Sequence, residues 1–125
     1  ILSNTKYMEI LIMNEKYERQ MKKGVLDMLV LKLLEQEKKY GYQLINEMSE
    51  KSKNVFQLKE GTLYPVLYRL EEEGFVISQW SEPEGKQVAR KYYKITKEGK
   101  KALQEIGDIW TQICMGISCI MEEEV

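Results

Sequence analysis

The sequence predicts a mainly α-helical domain with one small β-hairpin and a long C-terminal helix. In four stretches the apolar residues recur every three to four positions, which is the period of an amphipathic helix. Two short stretches rich in β-branched and aromatic residues lie between the third and the fourth of these, and such residues favour strands. The predicted helices are 16–36 (with Met21 as an alternative start), 41–52, 59–73 and 97–125, and the predicted strands are 75–81 and 88–95.

The third predicted helix is the most informative element. Pro65 is compatible with a helix here because the N–H groups of the first turn have no intrahelical partner, and Gly74 ends the helix. Two helices precede it and a hairpin follows, which is the order of a winged helix-turn-helix, where the third helix reads DNA. Taken alone, the pattern fits an ordinary core helix equally well. The apolar face consists of Leu63, Val66, Leu67 and Leu70.

Turn-forming residues separate the two predicted strands. Residues 82–87 include Pro83 and Gly85 among charged side chains, and these residue types favour a turn. Two strands of this length need support from the helices, so the hairpin is predicted to lie against them as a wing. We expect Trp80 and Tyr92 or Tyr93 to be cross-strand packing pairs rather than ligand contacts.

The charges are unevenly distributed along the chain, although the formal net charge is only −1. Residues 84–101 carry seven basic and two acidic side chains, a local charge of +5, whereas residues 102–125 carry five acidic and no basic ones. Because phosphate contact is local, a basic wing can bind DNA on a protein that is acidic as a whole. Alternatively, Lys97, Lys100 and Lys101 are simply the exposed face of the last helix.

The final helix carries the most regular apolar pattern of the chain. Thr96 is predicted to cap it, and apolar residues then follow with spacings of three and four. This is a heptad seam, which normally packs against a second helix, and it is wider than one small domain needs. The pattern therefore favours a homodimer. The seam consists of Leu103, Ile106, Trp110, Ile113, Ile117 and Ile120.

Composition limits the function classes. The chain of 125 residues has no histidine, so histidine-dependent nucleophiles and the usual proton shuttle at neutral pH are absent. The sequence has neither a glycine-rich phosphate loop nor metal-ligand spacing, and we expect no enzyme, cofactor or metal site. It also has no apolar run of membrane-spanning length, and we expect a cytoplasmic protein. The predicted division is an N-terminal extension (1–19), a winged-helix DNA-binding domain (20–96) and a C-terminal dimerisation helix (97–125).

Several motifs occur in a specific order. They are YGYQL at 40–44, GTLYP at 61–65, RLEEEG at 69–74, SQW at 78–80 and RKYYKITKEG at 90–99. Over residues 22–104 this order and spacing resembles the PadR family of bacterial transcriptional regulators, and the single C-terminal helix is similar to the short subgroup of that family. The resemblance implies a homodimer of winged helix-turn-helix protomers that usually represses transcription by occupying a pseudo-palindromic operator.

The resemblance also implies that the third helix enters the major groove and that the wing reaches flanking phosphate or the minor groove. By residue type, lysine and arginine would position the protein, while Thr62 and Tyr64 would read bases. Arg69 has an alternative in a salt bridge to Glu72 or Glu73, and Tyr64 has one in packing against the second helix. The predicted DNA contacts are Tyr42, Lys59, Thr62, Tyr64, Tyr68, Arg69, Lys86 and Arg90.

The resemblance further suggests release from DNA by an aromatic or hydrophobic small molecule bound between protomers. Met21, Met28 and Trp110 are the candidate lining residues, since a tryptophan stacks on planar ligands and methionines adapt to them. The alternative is that all three belong to a dry core. Two other functions also fit the sequence: a winged-helix module that binds protein instead of DNA, and a protein that sequesters small molecules.

Overall fold

The computed structural model describes residues 3–83, 85–86 and 88–122, without the side chains of residues 7 and 10–13. The predicted turn at 82–87, the N-terminal extension and the last helix thus each include residues outside the described part. Within it, no helix is long and apolar enough to cross a membrane. The elements are α1 (Asn4–Lys23), α2 (Leu26–Leu34), β1 (Lys39–Tyr40), α3 (Gly41–Lys51), α4 (Glu60–Glu72), β2 (Val76–Trp80), β3 (Lys91–Ile95) and α5 (Lys97–Met121).

The prediction of one helix over residues 16–36 was wrong, because two helices meet at Gly24. Gly24 caps α1, and its N–H donates to the carbonyl of Lys22; glycine is a poor residue for the interior of a helix. The break changes the helical phase. Met21, predicted on the apolar stripe, is 77% exposed, whereas Val30 and Leu31, which lie off that stripe, are fully buried. The predicted domain boundary between residues 19 and 20 falls inside α1.

One hydrophobic core joins α2, α3, α4, the sheet and the start of α5. In α4 the four predicted apolar residues are all buried, as helical periodicity requires. Residues of α3 face them, with Leu44 and Met48 buried. The C-terminal helix contributes to this core only at its beginning. Among the described residues, the buried apolar ones are Leu26, Val30, Leu31, Leu34, Leu44, Met48, Leu63, Val66, Leu67, Leu70, Val76, Tyr93, Ile95, Ala102 and Leu103.

The wing is part of a three-stranded antiparallel sheet in the order β1-β3-β2. The sequence did not predict β1, a two-residue strand next to α3. Its Lys39 is buried, and the Nζ atom donates to the carbonyl of Leu33 at 2.8 Å and lies 3.6 Å from Glu47. This interaction is consistent with burial of the charged group. Pairing with β1 therefore attaches the β3 edge of the hairpin to the helices.

The cross-strand register corrects one prediction about the wing. Trp80 lies opposite Lys91, whereas Tyr92 lies opposite Gln79 and Tyr93 opposite Ser78. Trp80 therefore has a lysine, not a tyrosine, as its cross-strand neighbour.

The junction of α4, β2 and α5 is tightly built. The turn after α4 uses Gly74 with a φ of +79°, a conformation that glycine adopts without strain. Thr96 caps α5 as predicted: its hydroxyl oxygen accepts from the N–H of Gly99 at 3.0 Å. The same hydroxyl donates to the carbonyl of Gly74 at 2.7 Å. The start of α5 is therefore fixed to the turn that leads from α4 into the wing.

Candidate nucleic-acid interface

The exposed surface of α4 has a centre and two flanks. At 100° per residue, the side opposite the core is centred on Gly61, Pro65 and Tyr68, and all three are exposed. Thr62 and Arg69 are exposed on the flank towards α1. Tyr68, which is 51% exposed, is therefore the largest side chain on this side of the helix.

Tyr64 occupies the other flank and packs against α3. Its ring lies so close to the backbone of Gly41 that a β-carbon at that position would collide with the Tyr64 hydroxyl. The side chain is half-buried against the core, and its ring centroid is 6.0 Å from that of Tyr68. Tyr64 thus packs against the second predicted helix (α3), which was the alternative to a DNA contact.

Arg69 forms an ion pair with Asp27 of α2. The alternative partners considered from the sequence, Glu72 and Glu73, are therefore not the ones observed. Both members of the pair are partly exposed, so solvent screens their attraction. The pair borders an open groove of about 1080 Å³ between α1, α2, α4 and α5, whose lining also includes Thr62 and Ile106.

The helix-turn-helix brings two further predicted contacts to its surface. Tyr42, in the first turn of α3, is 63% exposed. Lys59 is exposed as the residue that precedes α4, with extended backbone. Their side chains are therefore accessible beside the N-terminal ends of the two helices, where backbone N–H groups favour anions.

The wing presents its two predicted cations differently. Lys86 is exposed in the turn next to Gly85, which has a φ of +59°. Arg90 lies farther along the hairpin, and its guanidinium is 4.5 Å from the ring centroid of Tyr40. Two hydrogen bonds with Ser81 fix the main chain of Arg90: its carbonyl accepts from the N–H of Ser81 at 2.7 Å, and its N–H donates to the hydroxyl oxygen of Ser81 at 2.8 Å. Arg90 is therefore held in place, and Lys86 projects from the tip.

A lysine that the sequence reasoning passed over lies between the wing and α4. The Nζ atom of Lys91 is 6.0 Å from the ring centroids of both Tyr68 and Trp80 and 5.7 Å from that of Tyr93. Such distances allow cation–π attraction. The basic run 84–101 drew attention to this segment, but only the register and the position of α4 bring the three rings around one ammonium group.

Tyr93 is the buried member of this cluster. Its hydroxyl finds no hydrogen-bond partner within the part of the chain that the structure describes. Burial, together with the nearby Tyr68, Glu71 and Tyr64, raises the pKa of the Tyr93 phenol to about 12, because each disfavours the charged phenolate. The buried ring serves as an apolar wall of the cluster, with a hydroxyl that has no hydrogen-bond partner among the described residues.

The predicted seam on α5 becomes progressively more exposed along the helix. Leu103 is buried and Ile106 is half-buried against the core. Beyond them, Trp110 is 41% and Ile120 74% exposed, and Ile113 and Ile117 lie between these values. A single chain therefore covers only the first two seam residues, and the others form an apolar stripe in solvent.

The three candidate ligand-lining residues belong to three different helices, α1, α2 and α5. Met28 is half-buried against the core, whereas Met21 is exposed on α1. Trp110 borders a shallow groove of about 450 Å³ on α5, together with Cys114 and Met115.

Comparisons with known proteins agree with this geometry. The family model described as "Transcriptional regulator PadR-like family" matches residues 30–105. The crystal structure of a PadR family transcriptional regulator from Eggerthella lenta DSM 2243 is 32% identical, with a TM-score of 0.82, over 94% of this chain and 99% of that chain. A PadR-like transcriptional regulator (BC4206) from Bacillus cereus is 30% identical, with a TM-score of 0.71, over 84% and 99%. An uncharacterized protein X from Lysinibacillus sphaericus is 37% identical over 102 residues, which are 80% of this chain and 91% of that protein.

Proposed function

Because the chain belongs to the PadR-like family of transcriptional regulators, we propose that it acts as a homodimeric repressor that binds a pseudo-palindromic operator. The observation that carries this proposal is the position of the wing beside the exposed face of α4. Tyr68 on the helix lies beside the wing, since the Nζ atom of Lys91 on β3 is 6.0 Å from its ring centroid and α4 packs against β2, as a surface that follows a groove and its phosphates requires.

The proposed contacts have different roles. Lys59, Arg69, Lys86 and Arg90 would hold phosphates and set the orientation of the protein. Thr62, Tyr64 and Tyr68 would contact base edges or thymine methyl groups in the major groove. Tyr42 would hydrogen-bond to the backbone beside the N-terminus of α3. Because the helix face offers few amide or cationic groups, DNA shape would contribute to selectivity.

Direct titration tests DNA binding. The protein would be added to a fluorescent duplex carrying the DNA upstream of its own coding region, at two salt concentrations, beside a scrambled duplex. We expect selective binding that weakens steeply with salt, because phosphate contacts release counterions. The Lys86→Glu and Arg90→Glu variants should bind far more weakly, whereas Lys100→Glu, the same charge change on α5, should change affinity much less.

A negative result in this titration would favour a different function. If neither the upstream duplex nor genome-wide fragments were preferred over scrambled DNA, the two alternatives would take precedence: a winged-helix module that binds protein, or a protein that sequesters small molecules.

The dimer part of the proposal is supported by the apolar stripe on α5, which remains exposed from Trp110 to Ile120. A stripe of this length normally packs against another helix. Ile113→Glu should convert the dimer to a monomer in sedimentation velocity, because it buries a charge in the interface. Gln112→Glu adds the same charge to an exposed position off the seam and should leave the dimer intact. A monomeric parent protein would contradict this part.

The remaining part of the proposal is release of the protein from DNA by a planar aromatic or hydrophobic small molecule. The support is that Trp110 is partly exposed beside a groove on α5, and that Met21 is an exposed apolar side chain on α1. Since Trp80 and Trp110 are the only tryptophans, a Trp80→Phe variant reports on Trp110 alone. We expect acridine to quench the fluorescence of the Trp80→Phe variant. We also expect acridine to lower the DNA affinity of the parent protein but not that of Trp110→Leu. Unchanged fluorescence and affinity would contradict this binding site for acridine.

A further inference from the structure

We propose that Lys91 binds a DNA phosphate at the junction of the recognition helix α4 and the wing, where three aromatic rings hold its ammonium group without neutralising it. This inference rests on the proposed function and adds to it a positioning residue outside the predicted set of contacts.

The strand alternation places Lys91 on the inner face of the wing. Successive side chains of a strand point to opposite faces, and the buried Tyr93 and Ile95 mark the face that looks towards the helices. Lys91 shares that face with them, whereas Lys94 is exposed on the outer face. The ammonium group of Lys91 is therefore directed towards α4 and not into open solvent behind the sheet.

The environment of Lys91 positions its charge and leaves it available. Among the described residues, its Nζ atom takes part in no ion pair within 4.0 Å. The carboxylate of Glu71 on α4 accepts a hydrogen bond from the hydroxyl of Ser78 on β2. Aromatic faces attract a cation through their quadrupole but carry no net charge. The positive charge is thus oriented by the rings and has no ion-pair partner among the described residues.

Two of the surrounding rings are open on their outer sides. Trp80 is 64% and Tyr68 51% exposed, while Lys91 itself is half-buried. Tyr68 belongs to the centre of the exposed face of α4, so a duplex that meets this face also meets the rim formed by Trp80. A phosphate is the group of duplex DNA that fits a fixed ammonium at such a rim. The rings restrict the conformations of the flexible lysine side chain, which lowers the entropy lost on binding.

The salt dependence of DNA binding tests this role. The fluorescent upstream duplex would be titrated with the parent protein, Lys91→Met and Lys94→Met at several salt concentrations. Lys94→Met is the matched control, because it removes one lysine from the opposite face of the same strand. For Lys91→Met, the slope of log K against log salt should fall by about 0.9 per bound protomer, with affinity near 0.15 M salt about fivefold weaker per protomer. Lys94→Met should leave the slope within error of the parent.

Further variants separate a DNA contact from a purely structural clamp. Lys91→Arg keeps the charge and the stacking, so it should retain the parent slope. Lys91→Gln repeats the charge removal with a polar side chain if Lys91→Met does not fold. A parent-like slope in the folded neutral variants, with only a lower midpoint of thermal unfolding, would overturn the phosphate role and leave the proposed function standing. A parent protein that binds no duplex in a salt-dependent way would overturn both.

Discussion

The guanidinium of Arg69 on α4 is paired with the carboxylate of Asp27 on α2. This contact joins α4 to the first turn of the helix that follows the break at Gly24. It therefore connects the surface proposed to meet DNA with the part of the fold from which α1 extends. Whether the pair persists in the complex determines the role of Arg69.

A double-mutant cycle measures this pair. We expect Asp27→Asn and Arg69→Gln each to lower the free energy of unfolding slightly, with a coupling of about 0.5 kcal/mol, because both side chains are partly exposed and screened. Urea unfolding of the two single variants and the double variant gives the coupling. If Arg69 also contacts DNA, Asp27→Asn should raise DNA affinity by freeing the guanidinium, whereas Arg69→Gln should lower it. If both variants bind DNA with the affinity of the parent protein, the role of Arg69 is structural alone.

The buried phenol of Tyr93 predicts a loss of stability in alkali. Its pKa is raised to about 12 in the folded chain, against about 10 in an unfolded one. Between these values the unfolded phenol loses its proton while the folded one keeps it, so the free energy of unfolding falls as pH rises from 10 to 12. Below pH 10 this contribution is fully present.

Tyr93→Phe removes the titration and isolates its effect. At pH 7 the variant should be as stable as the parent or slightly more stable, because it deletes a buried hydroxyl that has no partner among the described residues. The difference between parent and variant in urea unfolding, measured from pH 8 to 12, should grow in favour of the variant above pH 10. A difference that does not change with pH would show that Tyr93 ionises normally.

The first turn of α5 depends on a close approach at Gly99. A β-carbon there would collide with the carbonyl oxygen of Phe75, which is already held by the N–H of Thr96 at 3.0 Å. Gly99→Ala should therefore lower the free energy of unfolding by about 1–3 kcal/mol. Gly107→Ala in the same helix has open space around the new methyl group and should be neutral or stabilising by up to about 1 kcal/mol. Equal effects in thermal unfolding would contradict the close packing.

Local signals explain which parts of the fold could be predicted. Gly74 ends α4 and Thr96 caps α5, and both roles depend on residues within a few positions in the chain. The break at Gly24 was missed because a single glycine inside an apolar repeat is tolerated in many helices. The strand β1 was missed because two residues carry no periodicity, and only pairing with β3 defines them.

The candidate site was predictable to a smaller extent, for the same reason. Sequence placed Lys59, Thr62 and Tyr68 on one helix and Lys86 on a turn, because each of these placements needs only local structure. The partners of the other charged groups depend on tertiary contacts. Asp27 is 42 residues away from Arg69 in the chain, and Tyr40 meets Arg90 because β1 pairs with β3. The aromatic surroundings of Lys91 require the strand register and α4 together.

The stack of Arg90 on Tyr40 leads to a prediction about the wing. The guanidinium lies 4.5 Å from the ring centroid, so the ring restricts the side chain before any phosphate arrives. Tyr40→Leu keeps all charges but releases Arg90, and ordering a free side chain costs about 0.5–1.5 kcal/mol on binding. We therefore expect DNA affinity to fall by about two- to tenfold per protomer in the titration with the upstream duplex.

Two further variants determine whether this loss acts through Arg90. Tyr40→Phe retains the ring and should bind DNA like the parent. In an Arg90→Gln background, Tyr40→Leu should cause little additional loss, because the side chain that the ring positions has been removed. A full additional loss in that background would show that Tyr40 acts independently of Arg90, either by a direct contact with DNA or by supporting β1. Thermal unfolding of the same variants distinguishes these two, since only loss of support for β1 lowers the midpoint.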